Sequence, residues 1–215
     1  MTDHAHHLDH KDNSLDRLVF FSDGVFAIAI TLLSIELHPP HDWDGAAASL
    51  WREGWTGFMA YAVSFIVIGV FWNTHRRMYN QITRFTPGIF IWNLALLGAI
   101  ALMPFVTSLL YLAGPKSEAF VIYLGLISIA GLIQGLLLAQ AAFVDRAVRP
   151  GVHWARRVTA ALAAGLLPGL MSTATMLFYA AMGGADVSLI VPIGLTVCSG
   201  AIIAAQIWAG RRFKA

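Results

Sequence analysis

Four side chains in this sequence could do acid–base or ion chemistry within apolar surroundings: Asp23, Glu36, His75 and Asn93. Asp23 and Glu36 share one apolar segment, 13 residues apart, which is about 20 Å of helix rise. An ionised carboxylate away from water is costly unless paired, so Asp23 needs a partner, and Arg17 and His75 are candidates. An imidazole titrates near neutral pH, which makes Asp23 with His75 a conceivable proton-coupling pair. Gln134, Gln140 and Gln206, with scattered Ser and Thr, read as groups that satisfy one another across helix contacts. Enzyme chemistry finds no footing: there is no HExxH, and no Ser–Lys or Asp pair at membrane depth supplies a nucleophile or a metal-bound water.

The elements that carry these residues follow from composition. The chain has 215 residues, 58% hydrophobic and 12% charged, with a mean hydropathy of +0.68, whereas soluble domains carry about 25% charged residues. It reads as an all-α, polytopic membrane protein. Runs of about 20 apolar residues fall at 18–37, 55–75, 88–112, 119–142, 155–181 and 187–209, six helices in all. A polar tail (1–16) precedes the six-helix domain (17–210), and a basic C-terminus (211–215) follows. No stretch is left for a soluble domain or a nucleic-acid-binding module.

Placing the N-terminus in the cytosol puts twelve of the fourteen Lys and Arg on that side, with Arg52 and Lys116 opposite. That split is what the positive-inside rule asks for, with both termini cytoplasmic. Trp51, Trp55, Trp72, Trp92, Trp154 and Trp208 sit near span ends and read as headgroup anchors. Pro104, Pro168 and Pro192 interrupt apolar runs and favour kinks or breaks. Cys198 is the single cysteine, so no intrachain disulfide or thiolate metal site is possible. His4, His6, His7 and His10 lie in the tail at irregular spacing without a scaffold; a solvated tail is the better reading than a metal site, and it is assigned no function.

On a helical wheel of about 100° per residue, Ile28, Leu32 and Ile35 form one stripe. Thr31 and Gly24 lie to one side of Ile28, and Asp23 lies roughly 140° away, toward neighbouring helices. Periodicity alone leaves this aliphatic row as lipid contact or helix packing.

The run Arg17-Leu-Val-Phe-Phe21-Ser22-Asp23, continuing through Thr31 to Glu36, resembles the RxxxFSD first helix of the transmembrane protein 175 potassium channels. Phe71-Trp72-Asn73-Thr74-His75 resembles the FWxxH end of that family's second helix, and Trp92-Asn93-Leu94 with Met103-Pro104-Phe105 resembles its third. Gly24 stands where the family pattern leads one to expect alanine. The resemblance implies a homotetramer in a bacterial plasma membrane, with the first helix of each subunit lining a central pore and no TVGYG filter. It implies a constriction and gate at Ile28, Leu32 and Ile35, and selectivity at Ile28 and Thr31. Arg17, Phe21, Ser22, Asp23, His75 and Asn93 would form a structural network that holds the first helix in register. Glu36 is either a cation-attracting ring at the outer mouth or a solvated helix end.

The function expected from this is passive, potassium-selective cation conduction, with monovalent cations and membrane lipid as partners, potassium as the permeant ion, and no cofactor or metal. The alternative is a proton-coupled secondary transporter using Asp23 and His75. Against it stand the lack of a central charged residue and of an evident internal repeat.

Overall fold

Between Asp3 and Ile35 there is no proline and a single glycine, Gly24, and the chain forms one helix, α1, over the whole of that stretch. The polar tail is therefore helical from Asp3 onward. Once the apolar segment has formed its turns, each further residue adds one backbone hydrogen bond without a new nucleation cost. The computed structural model describes residues 3–40, 43–113 and 118–149 with 173, 174 and 177, and the side chains of α1 from residue 14. The expected segment 187–209 and nearly all of 155–181 lie outside the described residues, as do Trp154, Pro168, Pro192, Cys198, Gln206, Trp208 and the basic C-terminus.

After α1 come α2 (Ala47–Tyr79), α3 (Pro87–Ala101), α4 (Met103–Ala113), α5 (Glu118–Ala139) and a π-helical turn, Gln140–Val144. The described residues contain no strand, only one isolated bridge between Ile82 and Val148. Four stretches are long and apolar enough to cross a membrane: Ser14–Ile35, Ala47–Tyr79, Pro87–Ala113 and Glu118–Val144. These are the first four expected segments, and the protein is a multi-pass membrane protein.

Local chemistry sets the ends. α2 starts eight residues before the expected 55, because Asp44 Oδ1 accepts from the Ala46 N–H at 2.9 Å and from the Ser49 hydroxyl, organising the first turn. It closes on Arg76 and Arg77, cations suited to the negative end of the helix dipole. Thr86 caps α3 by accepting from the Ile89 N–H at 3.2 Å, with Pro87 at the first helical position. The third span is broken at Leu102, two residues before Pro104, which has no N–H to donate back. The ladder resumes with the Val106 N–H on the Leu102 carbonyl at 3.2 Å.

Two apolar clusters fill the bundle. The larger joins Phe26 and Leu33 of α1 to Ile68, Leu96, Ile100, Met103 and Leu124. The second lies at the arginine-rich end, where Leu18 meets Met78, Tyr79, Ile89 and Leu137. Lipid tails are as apolar as these side chains, so close packing and interhelical hydrogen bonds hold the helices together rather than the hydrophobic effect. Ser22 and Ala29 on the inward face of α1 suit that rule, since small residues let helices approach. Polar ties do the same between other helices: Ser64 of α2 lies 3.0 Å from the Tyr123 hydroxyl of α5 and accepts from Thr107 of α4 at 2.8 Å.

Candidate functional site

α1 carries two different faces, and its register separates the residues of one from those of the other. Taking Arg17 as zero, Leu18, Ser22, Phe26, Ala29 and Leu33 fall within an arc of roughly 100° to 180°. All five are buried. Arg17, Phe21, Gly24, Ile28, Leu32 and Ile35 fall between roughly −20° and +60°, with Phe20, Ala27 and Thr31 beside them. All nine are exposed.

Ser22 reaches across the buried face to the cluster predicted from sequence. Asn93 of α3 stands at its centre: its Nδ2 donates to Ser22 Oγ at 3.0 Å, and its Oδ1 lies 2.8 Å from His75 Nε2. A carbonyl oxygen can only accept, so His75 carries its proton on Nε2. Ser22 also donates to the Leu18 carbonyl at 2.8 Å, and Ser22, His75 and Asn93 are each 0% exposed. The imidazole is held between the rings of Phe26, at 5.4 Å, and Tyr79, at 4.4 Å. Three helices are thereby tied at one level: α1 through Ser22, α2 through His75 and α3 through Asn93.

Asp23 is placed differently from either expectation. Its carboxylate accepts from the Trp72 indole N–H at 2.8 Å, while His75 is bonded to Asn93. The two candidates for a proton-coupling pair thus have separate partners. Arg76 lies 5.3 Å above the same Trp72 ring, a cation–π contact. The sequence reading treated Trp72 as a headgroup anchor and missed it as a partner. Its position three residues before His75, on an adjoining face of α2, is the signal that could have shown it.

Arg17 and Phe21 are the other correction. Assigned to the network, they lie on the exposed face, and among the described residues Arg17 has no ion-pair partner. Phe21 and Gly24 follow Arg17 by four and seven residues on the stripe that leads to Ile28, so the wheel puts Arg17 and Phe21 with the aliphatic row and not with Ser22.

That row is bare. Ile28 is 59% exposed, Leu32 40% and Ile35 65%. Thr31 is exposed beside them, and its hydroxyl donates to the Ile28 carbonyl at 2.9 Å; the Ser34 hydroxyl donates to the Thr31 carbonyl at 2.7 Å. Both hydroxyl protons are therefore used within the helix, and what each group turns outward is oxygen lone pairs. A Cβ at Gly24 would meet nothing within 4 Å, so packing within this chain does not require glycine there. Glu36 follows the helix, half-buried, and its carbonyl lies 2.9 Å from His38 Nδ1. No group of three or more His, Cys, Asp or Glu among the described residues is arranged to hold a metal.

The part of the chain that carries the polar network and the bare stripe is similar to known proteins. The family model for the endosomal/lysosomal potassium channel TMEM175 matches residues 17–104, which hold both faces of α1 together with His75 and Asn93. A potassium channel of Chamaesiphon minutus is 35% identical over 143 residues, covering 63% of this chain and 70% of that one. The chain belongs to the TMEM175 family. The crystal structure of a lysosomal potassium-selective channel TMEM175 homolog from the same organism superimposes with a TM-score of 0.68 at 28% identity, covering 87% of this chain and 98% of the other. The zebrafish endosomal/lysosomal proton channel TMEM175 is 25% identical over 158 residues, and the match spans 67% of this chain but only 30% of that longer protein. These TMEM175 relatives are channels and not enzymes.

Proposed function

We propose that this protein is a potassium-selective cation channel, a homotetramer of six-helix subunits in which α1 of each subunit lines a central pore. One observation carries the reading: the least buried of the four described spans, with 28% of its most apolar stretch buried against 56% for the last, is also the span whose opposite face is locked by a buried polar network. A helix fixed in register on one side, with a continuous aliphatic stripe on the other, is suited to line an axis. The named relatives from Chamaesiphon support potassium as the permeant ion.

In the assembled channel four copies of Ile28, with Leu32 and Ile35, form an apolar neck. Such a neck dewets when narrow, so it gates by excluding water and ions until it widens. Potassium surrenders its hydration more readily than sodium, and a tight neck with few ligands favours it modestly. Thr31 contributes because its outward oxygen offers lone pairs to a passing cation. Thr31→Ala should reduce potassium preference and leave assembly intact, since the hydroxyl bonds only within its own turn. Glu36 rings the outer mouth and concentrates cations. Ser22, Asn93, His75, Asp23 and Trp72 hold α1 at the angle that points the stripe at the axis. Both termini face the cytoplasm of a bacterial cell, and conduction is passive and uses no cofactor.

Planar-bilayer recording of the purified protein tests the reading, with potassium opposed to sodium under bi-ionic conditions. A reversal potential displaced toward the potassium equilibrium value, with channel-sized currents, is the expected result. Absence of passive current, with uptake driven by an imposed proton gradient, overturns it. A proton-selective current, as the zebrafish relative's name would suggest, overturns the potassium assignment alone.

A further inference from the structure

At the arginine-rich end, two loops with no part in the α1 network are fastened into one platform. The segment between α2 and α3 pairs with the segment after the π turn through the Ile82–Val148 bridge. The Thr83 N–H and hydroxyl both donate to the Ala147 carbonyl, at 2.7 and 2.9 Å, and the Arg149 N–H donates to the Gln81 carbonyl at 3.0 Å. Ile82, Ala147 and Val148 are buried beneath, while Arg84, Arg146 and Arg149 are exposed above. Arg146 keeps a left-handed backbone, φ 49°, which side-chain-bearing residues rarely adopt.

The charge here is one-sided. Residues 76–86 and 145–149 hold five arginines and one carboxylate, Asp145. That carboxylate is already engaged: it accepts from the Thr86 hydroxyl and from Gln140 Nε2, the latter at 3.1 Å, while the Asp145 carbonyl accepts from Arg84. Directly before the platform, at the end of the fourth span, Phe143 is 53% and Val144 68% exposed. Arg146 thus follows, within two residues, two exposed apolar side chains at the end of an apolar span. A general excess of positive charge at one membrane face explains arginines there, but not two loops hydrogen-bonded together to present them beside an apolar ledge.

We infer that this platform binds an anionic phospholipid, with Arg84 and Arg146 taking the headgroup phosphate and Phe143 and Val144 the upper acyl chain. Guanidinium groups meet phosphate oxygens in a two-pronged geometry that lysine cannot reproduce. The apolar ledge makes the occupant a lipid and not a free anion, which would have no use for it. Residues 143–149 lie beyond the stretch matched by the family model, residues 17–104, whereas Arg84 lies within it. The site is independent of ion conduction and is read without measuring current.

The test is native mass spectrometry of the full-length protein in neutral detergent, titrated with phosphatidylglycerol or phosphatidylcholine. The expected result is selective retention of phosphatidylglycerol, at one molecule per subunit. Each Arg→Gln change should weaken retention roughly fivefold. Arg84 also bonds the Asp145 carbonyl, so Arg146→Gln, which touches no such bond, separates lost binding from lost folding. Arg52→Gln at the opposite end should change nothing. Equal retention of the two lipids, or undiminished phosphatidylglycerol binding by the Arg84→Gln/Arg146→Gln variant, overturns the site. Displacement by soluble glycerophosphate at equal concentration overturns its assignment to a lipid.

Discussion

The two faces of α1 use the same 3.6-residue periodicity for opposite ends. On the inner face, Ser22, Phe26, Ala29 and Leu33 are buried against α2 and α3, and a serine there is bonded at both ends. On the outer face, Ile28, Leu32 and Ile35 are left largely uncovered by the rest of the chain. Hydropathy barely separates the two sets, and what distinguishes them is polar: one buried hydroxyl sets which way the whole helix is turned. In a membrane, where apolar burial gives little direction, a few hydrogen bonds decide which aliphatic row is left bare.

Removing the centre of the network should break that distinction most severely. Asn93→Leu leaves the His75 N–H without its acceptor and Ser22 without a donor, in a site with no access to water. Orphaned buried groups cost roughly 1–3 kcal/mol each; measured membrane hydrogen bonds sit at the low end, so a loss of about 2 kcal/mol is expected in unfolding by denaturing detergent. Wild-type stability in this variant would mean that packing alone turns the helix. Trp72→Phe keeps the ring under Arg76 and deletes only the N–H that reaches Asp23. Its cost should be smaller, about 1 kcal/mol, and the same assay should rank it below Asn93→Leu; the reverse order would make Asp23 the principal anchor.

Ile28→Asn probes the opposite face. An exposed position outside such networks tolerates substitution to within about 0.5 kcal/mol, so the stability of the fold should be nearly unchanged. Conductance, however, should rise and potassium preference should fall, because a polar ring keeps the neck wet. A destabilised protein with unaltered conductance would show that the stripe is packed against something and that the neck lies elsewhere.

How much of this was legible in the sequence depends on whether a residue's role is set by period or by partner. The bare stripe follows from period: Ile28, Leu32 and Ile35 share a face at any helix position, and the structure leaves that face open. The same wheel, extended to Arg17 and Phe21, would have moved both out of the network where the motif's resemblance had put them. Asn93 with His75 was legible as a polar pair at corresponding ends of neighbouring spans. Trp72 was not, because an indole near a span end fits a headgroup anchor equally well, and only the approach of α1 brings Asp23 to 2.8 Å. The four described spans were found by their apolar length, while their ends shifted for reasons of capping. Asp44 and Ser49 start α2 early, and the tail helix reaches Asp3 because nothing stops it.

The junction between α1 and α2 belongs to neither face, and it supplies the mildest probe. Asp44 is held below its ordinary pKa of 3.8, first by the Ser49 hydroxyl and then by the Ala46 N–H, both of which bond its ionised form. A carboxylate whose pKa is lower folded than unfolded stabilises the fold when ionised. The contribution is fully present above 3.8 and is lost as the pH falls through the lower folded value. Hydrogen exchange at the Ala46 amide should therefore quicken only under strongly acid conditions, and Asp44→Asn should remove most of that acid dependence. Between about pH 5 and 8 the group stays ionised, so Asp44→Asn should leave any pH response of the current as it is in the wild type. If that response vanished with Asp44, the loop between α1 and α2 would be controlling the stripe, and the two faces of α1 would not be the whole of what sets its angle.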